Sequence, residues 1–83
     1  MKLLYFAWVR ERVGTSEESR DLPGSVQTAG ELKTWLASID EGYAYAFEDQ
    51  AIIRVALDKK LVEDDASLAD ASEAAFFPPM TGG

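Results

Sequence analysis

The apolar positions fall into runs and stripes that predict most of the elements. Residues 2–9, KLLYFAWV, form an aromatic-rich apolar run that reads as a β-strand. Polar Arg10, Glu11 and Arg12 follow, and Gly14-Thr15 mark a turn. A weaker strand is expected from Ser19 to Leu22, closed by the turn dipeptide Pro23-Gly24. Thr28 then offers a helix N-cap, and Glu31 stands at capping-box spacing, a device that contributes about 1 kcal/mol. Leu32, Trp35, Leu36 and Ile39 recur at i, i+3, i+4 and i+7, the apolar stripe of one helix, with Gly42 as its expected stop. Tyr43 to Asp49 fits a short helix or an irregular connection. Ala51 to Leu57 reads as a strand, Asp58-Lys59-Lys60 as its turn, and Leu61-Val62 as a short return. Asp64-Asp65 opens a loop from which Leu68 dips inward, and Glu73 to Phe77 forms the last strand.

The resulting order, β-β-α-β-β-β, predicts an α+β domain with a mixed sheet packed against one main helix. The first and last strands are the most apolar and are expected to be central neighbours. Strand parity then assigns faces. Leu3, Tyr5, Ala7 and Val9 share one side of the first strand. Lys2, Leu4, Phe6, Trp8 and Arg10 share the other, and the charged residues at its ends turn that side outward. Arg54 marks the outward side of the third strand, leaving Ile53, Val55 and Leu57 inside. Glu73 marks the outward side of the last strand, shared by Ala75 and Phe77, with Phe76 against the helix. Phe6, Trp8 and Phe77 would therefore form an exposed aromatic patch, the kind of surface that marks a partner site.

The last strand runs into FFPPMTGG, residues 76–83. Pro78 and Pro79 lack N–H donors and fix φ, so ladder pairing should stop there and the chain should leave the body stiffly. Pro78 to Gly83, fully extended, reach roughly 20 Å. Glycine has no Cβ, so Gly82 and Gly83 can thread a narrow channel. The terminal carboxylate becomes the candidate reactive centre, since a carboxylate converted to a mixed anhydride accepts sulfur or an amine.

Composition narrows the alternatives. The 83 residues suffice for one small domain, and 47% hydrophobic content can fill a core. With no cysteine there is no disulfide or thiolate metal site, and the lack of both cysteine and histidine argues against zinc sites and against Cys–His or Ser–His nucleophiles. The paired acids Asp64 and Asp65 lack a third ligand, so no metal is expected. The net charge of −7 disfavours nucleic-acid backbones and anionic membranes and fits partners with basic surfaces. No apolar stretch spans a bilayer and no signal-peptide pattern opens the chain, so a cytoplasmic location is expected.

The opening LLYFAWVRERVG, the single central helix and the close AAFFPPMTGG resemble the small subunit of molybdopterin synthase, the MoaD family. The resemblance covers essentially the whole chain and is strongest at its two ends. Terminal Gly-Gly is shared by several sulfur carriers and by ubiquitin, whereas the FFPP element is more specific to the molybdopterin branch. Met80 stands where the family more often has Val. The resemblance implies a ubiquitin-like β-grasp over residues 1–83, with 78–83 as an extended tail. It implies that an E1-like adenylating enzyme of the MoeB type uses ATP to convert the Gly83 carboxylate to an acyl-adenylate. A persulfide donor then leaves a thiocarboxylate. The tail enters the large, MoaE-type subunit and donates sulfur to cyclic pyranopterin monophosphate, building the dithiolene, and two copies of each subunit make a heterotetramer. No permanently bound cofactor is implied, and the small subunit is not itself catalytic. By matched position, Gly83 is the activated residue and Gly82 grants channel access. Phe6, Arg10, Leu61 and Phe77 fall at partner contacts, and Pro78, Pro79, Met80 and Thr81 form the inserted tail. Competing roles are a carrier for thiamine or tRNA thiolation, a ubiquitin-type protein modifier and an inert interaction module.

Overall fold

The computed structural model describes residues 1–79, so Met80, Thr81, Gly82 and Gly83 lie outside the described residues. Strand β1 (Lys2–Tyr5) leads into helix α1 (Ala7–Val13) and strand β2 (Glu17–Ser19). Helices α2 (Ala29–Ala37) and α3 (Glu41–Ala46) and a 3-10 turn (Gln50–Ile52) follow. Strands β3 (Arg54–Leu57), β4 (Lys60–Val62) and β5 (Glu73–Phe77) complete the order. The sheet runs β2-β1-β5-β3-β4. β1 and β5 are neighbours near its centre, as expected; they pair in parallel, and the remaining pairs are antiparallel.

One face of the sheet carries Leu3, Tyr5, Val55, Leu57, Ala74 and Phe76, all buried, and the helices cover it. Leu32 and Leu36 of α2 are fully buried, while Trp35 and Ile39 of the expected stripe pack at the margin. Phe76 is the centre of an aromatic cluster, stacked on Tyr5 at 5.7 Å and edge-on to Phe47 at 5.3 Å. Such pairs add about 1 kcal/mol beyond their buried area. A mixed sheet grasping one main helix is the α+β, β-grasp arrangement expected from the sequence.

The capping box at Thr28 forms as the spacing predicts. Four amides at this end need partners from outside the helix. Those of Thr28 and Glu31 exchange bonds with each other's side chains, at 3.1 and 3.2 Å. Those of Ala29 and Gly30 donate to the carbonyls of Ala66 and Asp64, at 3.0 and 2.8 Å. The loop after β4 thus seats on the start of α2. A Cβ on Gly30 would lie 3.1 Å from the Asp64 Cβ, so only glycine fits without displacing the loop.

Four expectations need correction. The apolar run 2–9 is not one strand: β1 stops at Tyr5, because Ala7 adopts φ 51° and turns the chain into α1. The apolar run hid a helical register in which Val9 is buried and Arg12 follows Trp8 by one turn. The second strand covers Glu17–Ser19 rather than Ser19 to Leu22, since the Glu18 side chain supplies a polar anchor instead of an apolar one. Helix α2 ends at Ala37, and Asp40 caps a separate α3 by accepting from the Tyr43 N–H at 3.1 Å. Gly42 therefore lies inside α3 and is not a stop. A Cβ there would meet the Arg12 carbonyl oxygen at 2.8 Å, so the glycine allows α1 and α3 to approach. Finally, β3 begins at Arg54, with residues 50–52 in a 3-10 turn.

Lys33 is a feature the sequence did not suggest. Its side chain is buried, and its ammonium donates to the carbonyls of Gln50 and Ile53 at 2.8 and 3.1 Å. The exposed Asp64 carboxylate sits 2.7 Å away. A buried ammonium is tolerated because all its donors have acceptors. It pins α2 to the 3-10 turn and to the loop after β4.

Candidate functional site: the uncovered sheet face and the root of the tail

On the side opposite the helices, a row of paired positions crosses the sheet. Leu61 stands opposite Ala56, Ala56 opposite Ala75, and Ala75 opposite Leu4. The two alanines make a low floor, and Leu4 and Leu61 make its walls. The result is a shallow depression of about 490 Å³, lined also by Lys59, Glu73, Phe6 and Phe77. Leu61 is 63% exposed, a large apolar side chain held in solvent.

Phe6 and Phe77 close one end of the depression, stacked with ring centroids 4.6 Å apart and planes 10° apart. The backbone arranges this. The Phe6 N–H donates to the Phe76 carbonyl at 3.2 Å, which continues the β1–β5 pairing one step past the strand. The left-handed turn at Ala7 then lifts the chain away and leaves Phe6 on the outer face. At the other end the β3–β4 turn places Asp58 and Lys59 at φ 48° and 74°. Two positive φ values suit the right-handed twist of a tight hairpin. The Asp58 carboxylate supports the turn by accepting from the N–H groups of Ser72 and Glu73, both at 3.0 Å.

Beyond the phenylalanine pair lies a second cleft of about 760 Å³, where the chain leaves the sheet. Phe6, Trp8, Arg54, Phe77, Pro78 and Pro79 contribute to its walls. β5 ends at Phe77, and neither proline joins the ladder, as their missing N–H groups require. The candidate tail thus has its root in the same surface as the aromatic patch. Met80, Thr81, Gly82 and Gly83 continue it outside the described residues.

The expected patch residues are brought together with two changes of context. Phe6, Leu61 and Phe77 share the outer face. Trp8 does not: it sits on α1, half-buried, with the Arg12 guanidinium 4.2 Å from its ring, and it reaches the site as a wall of the second cleft. Arg10 is exposed on α1, not on a strand, so alternation along a strand reached it by the wrong geometry. Sequence reading missed Ala56 and Ala75 as a floor and Arg54 as a wall. The signal available was two small residues at outward positions of neighbouring strands.

The groups with shifted pKa values cluster on the covered side, where the Tyr5 and Tyr43 hydroxyls donate to one Glu18 oxygen at 2.7 and 2.6 Å. Arg20 donates to the other Glu18 oxygen at 3.0 Å. Desolvation pushes the Glu18 carboxyl up, but hydrogen bonds from Tyr43, Tyr5 and Arg20 outweigh it and hold the group below the usual carboxylate range. Desolvation and the Glu18 charge raise both tyrosines. This network joins β1, β2 and α3. Among the described residues no three His, Cys, Asp or Glu side chains are placed to hold a metal ion. No helix among them is long and apolar enough to cross a membrane.

Among the described residues, the outer face is thus an exposed apolar depression with the stacked phenylalanines at its end and the root of the tail beside them. The model of the ThiS family matches residues 3–83. The molybdopterin synthase sulfur carrier subunit of Escherichia coli (strain K12) is 41% identical, over 100% of this chain and 99% of that protein. The protein of the same name from Haemophilus influenzae is 31% identical over the same shares. The chain belongs to the ThiS family. Within it, full-length identity places the chain with the molybdopterin synthase sulfur carrier subunits. Among solved structures, SAMP1 from Haloferax volcanii superimposes with a TM-score of 0.72 at 25% identity, covering 100% of this chain and 98% of that one.

Proposed function

We propose that this ThiS-family chain works as the sulfur carrier subunit of a molybdopterin synthase, with the carboxylate of Gly83 as the group that carries sulfur. It is the small, non-catalytic subunit. The observation that carries the reading is the stacked Phe6–Phe77 pair at the root of the tail. A partner gripping the outer face is thereby aimed at whatever follows Pro79. The full-length identity to carrier subunits of that name supports the choice of partner.

In this reading an E1-like activating enzyme joins the Gly83 carboxylate to the AMP moiety of ATP and releases pyrophosphate. The terminal sulfur of a persulfide donor displaces AMP, and a thiol cleaves the resulting acyl disulfide to leave a thiocarboxylate. ATP is a substrate of the activating enzyme and is not held by this chain. The tail then enters the large subunit of the synthase, where the thiocarboxylate gives its sulfur to cyclic pyranopterin monophosphate and water restores the carboxylate. Two such turnovers build one dithiolene. Phe6, Leu61 and Phe77 form the apolar grip and Arg10 a charged contact beside it. Pro78, Pro79, Met80 and Thr81 form the tail inserted into the channel, and Gly82 lets the end pass through. The cycle belongs in the cytoplasm, where ATP is available.

Intact mass after incubation with the activating enzyme, ATP and a persulfide donor tests the proposal. Exchange of one oxygen for sulfur supports a carrier. A ladder of conjugates would make the chain a protein modifier, and an unchanged mass would make the tail inert.

A further inference from the structure

The chain has eight cationic side chains against fifteen acids. Four of the cations are engaged. Lys2 pairs with Glu17 at 3.3 Å, Arg20 with Glu18 at 3.0 Å, and Lys33 with Asp64 at 2.7 Å. Arg12 reaches Glu48 at 3.8 Å and lies between the rings of Trp8 and Tyr45. The other four, Arg10, Arg54, Lys59 and Lys60, form no ion pair among the described residues.

Two of those four border the outer face. Lys59 lines the alanine-floored depression. Arg10 is exposed on α1 and lines neither cleft. Arg54 pairs in register with Phe77 and lines the cleft with Pro79. Lys60 stands beside Lys59 at the hairpin. Among the described residues, no carboxylate lines the cleft at the tail's root, and Arg54 is its charged wall; Arg54 and Pro79 also border a neighbouring cleft lined by Glu63 and Asp64, neither of which pairs with Arg54. In so acidic a chain, cations scattered at random would mostly find an acid, whereas Lys59 and Arg54 lie at the apolar outer face.

We infer that Arg54 is a specificity-determining residue at the root of the tail, matched to a carboxylate on the rim of the partner's channel. The inference rests on the docking reading proposed above and adds the charge of the partner's face. It reverses what net charge alone suggested, since the partner presents acids here and not bases. The carboxylate belongs to protein, not to a nucleotide or pterin phosphate. If a channel holds the four residues beyond Pro79 extended, as the docking reading requires, Gly83 would stand roughly 13 Å further on, where groups reacting with it would be out of reach of Arg54. A rim pair of this kind mainly steers encounter and rejects wrong partners, adding little to the lifetime of the complex.

The test is stopped-flow association of the full chain with the molybdopterin synthase large subunit, at several salt concentrations. Arg54→Gln and Ser25→Glu change net charge equally, and Ser25 lies beside α2, away from the outer face. Arg54→Gln slows association by about 5-fold at low salt, and the difference closes near 0.5 M salt, where charges are screened. Ser25→Glu stays within about twofold of the parent, and Arg54→Lys recovers most of the rate. If Arg54→Gln and Ser25→Glu behave alike while Phe77→Asp still abolishes binding, the inference is wrong and the docking reading stands. If the parent chain does not bind the large subunit, both are wrong.

Discussion

Phe6 and Phe77 come from opposite ends of the sequence and lie face to face, 4.6 Å apart, on the side of the sheet that no helix covers. The parallel pairing of β1 with β5 brings them together, and the left-handed turn at Ala7 keeps Phe6 there. Replacing Phe77 with Asp puts a charge at the centre of the proposed grip. Binding of the large subunit should weaken by at least about 30-fold, the range of an aromatic hot spot. The free energy of unfolding should fall by about 1 kcal/mol or less, because the ring is only half-buried. Calorimetric titration and a denaturant melt separate the two effects. A variant that unfolds would show that Phe77 belongs to the core.

Helix α1 was concealed in the sequence for a physical reason. KLLYFAWV is apolar at every position but the first, so it satisfies strand and helix templates alike, and periodicity cannot choose between them. What decides is a single φ at Ala7, which no residue type announces. The last strand was legible because Pro78 and Pro79 end it chemically, and α2 because Thr28 and Glu31 cap it. Phe6 and Phe77 were found because their face follows from alternation, whereas Leu61 came from the family resemblance alone. Arg54 as a wall and Lys33 as a pin depend on how separate elements meet, and no local pattern records that.

The backbone angles at the two ends of α1 give opposite expectations for glycine. Ala7→Gly should be neutral or stabilising by up to about 1 kcal/mol, although glycine in a helix ordinarily costs that much, because φ 51° strains an alanine. Gly14→Ala should destabilise by about 1 kcal/mol or more, since φ 98° does not suit a Cβ. Thermal melts of the pair check both signs.

Lys33 and Asp64 should respond unequally to removal. Lys33→Met takes away the buried charge and leaves Asp64 in water, where it is 63% exposed. Its cost should be about 1 kcal/mol, from two carbonyls losing a donor. Asp64→Asn leaves the buried ammonium without its counter-charge and should cost about 2 kcal/mol or more. Urea denaturation of the two variants gives the order, and the reverse order would contradict the role given to Lys33.

Stability should depend on pH through Glu18. Its folded pKa lies below the unfolded one, so its contribution is complete above the ordinary carboxylate range and is lost as pH falls through the folded value. Tyr5 and Tyr43 are raised, so their contribution holds below the ordinary tyrosine range and is lost on strong alkalinisation. Glu18→Gln should lower stability by about 1–2 kcal/mol at about pH 7 and by much less at about pH 3. Equal losses at both pH values would mean that the charge of Glu18 contributes nothing.

Single-turnover sulfur transfer tests the central claim most directly. The thiocarboxylated chain, mixed with the large subunit and cyclic pyranopterin monophosphate, should yield dithiolene product. A chain whose Gly83 carboxylate is amidated before incubation with the activating enzyme should yield none, while keeping its fold and its grip on the large subunit. Product formation by the amidated chain would show that sulfur travels by another group.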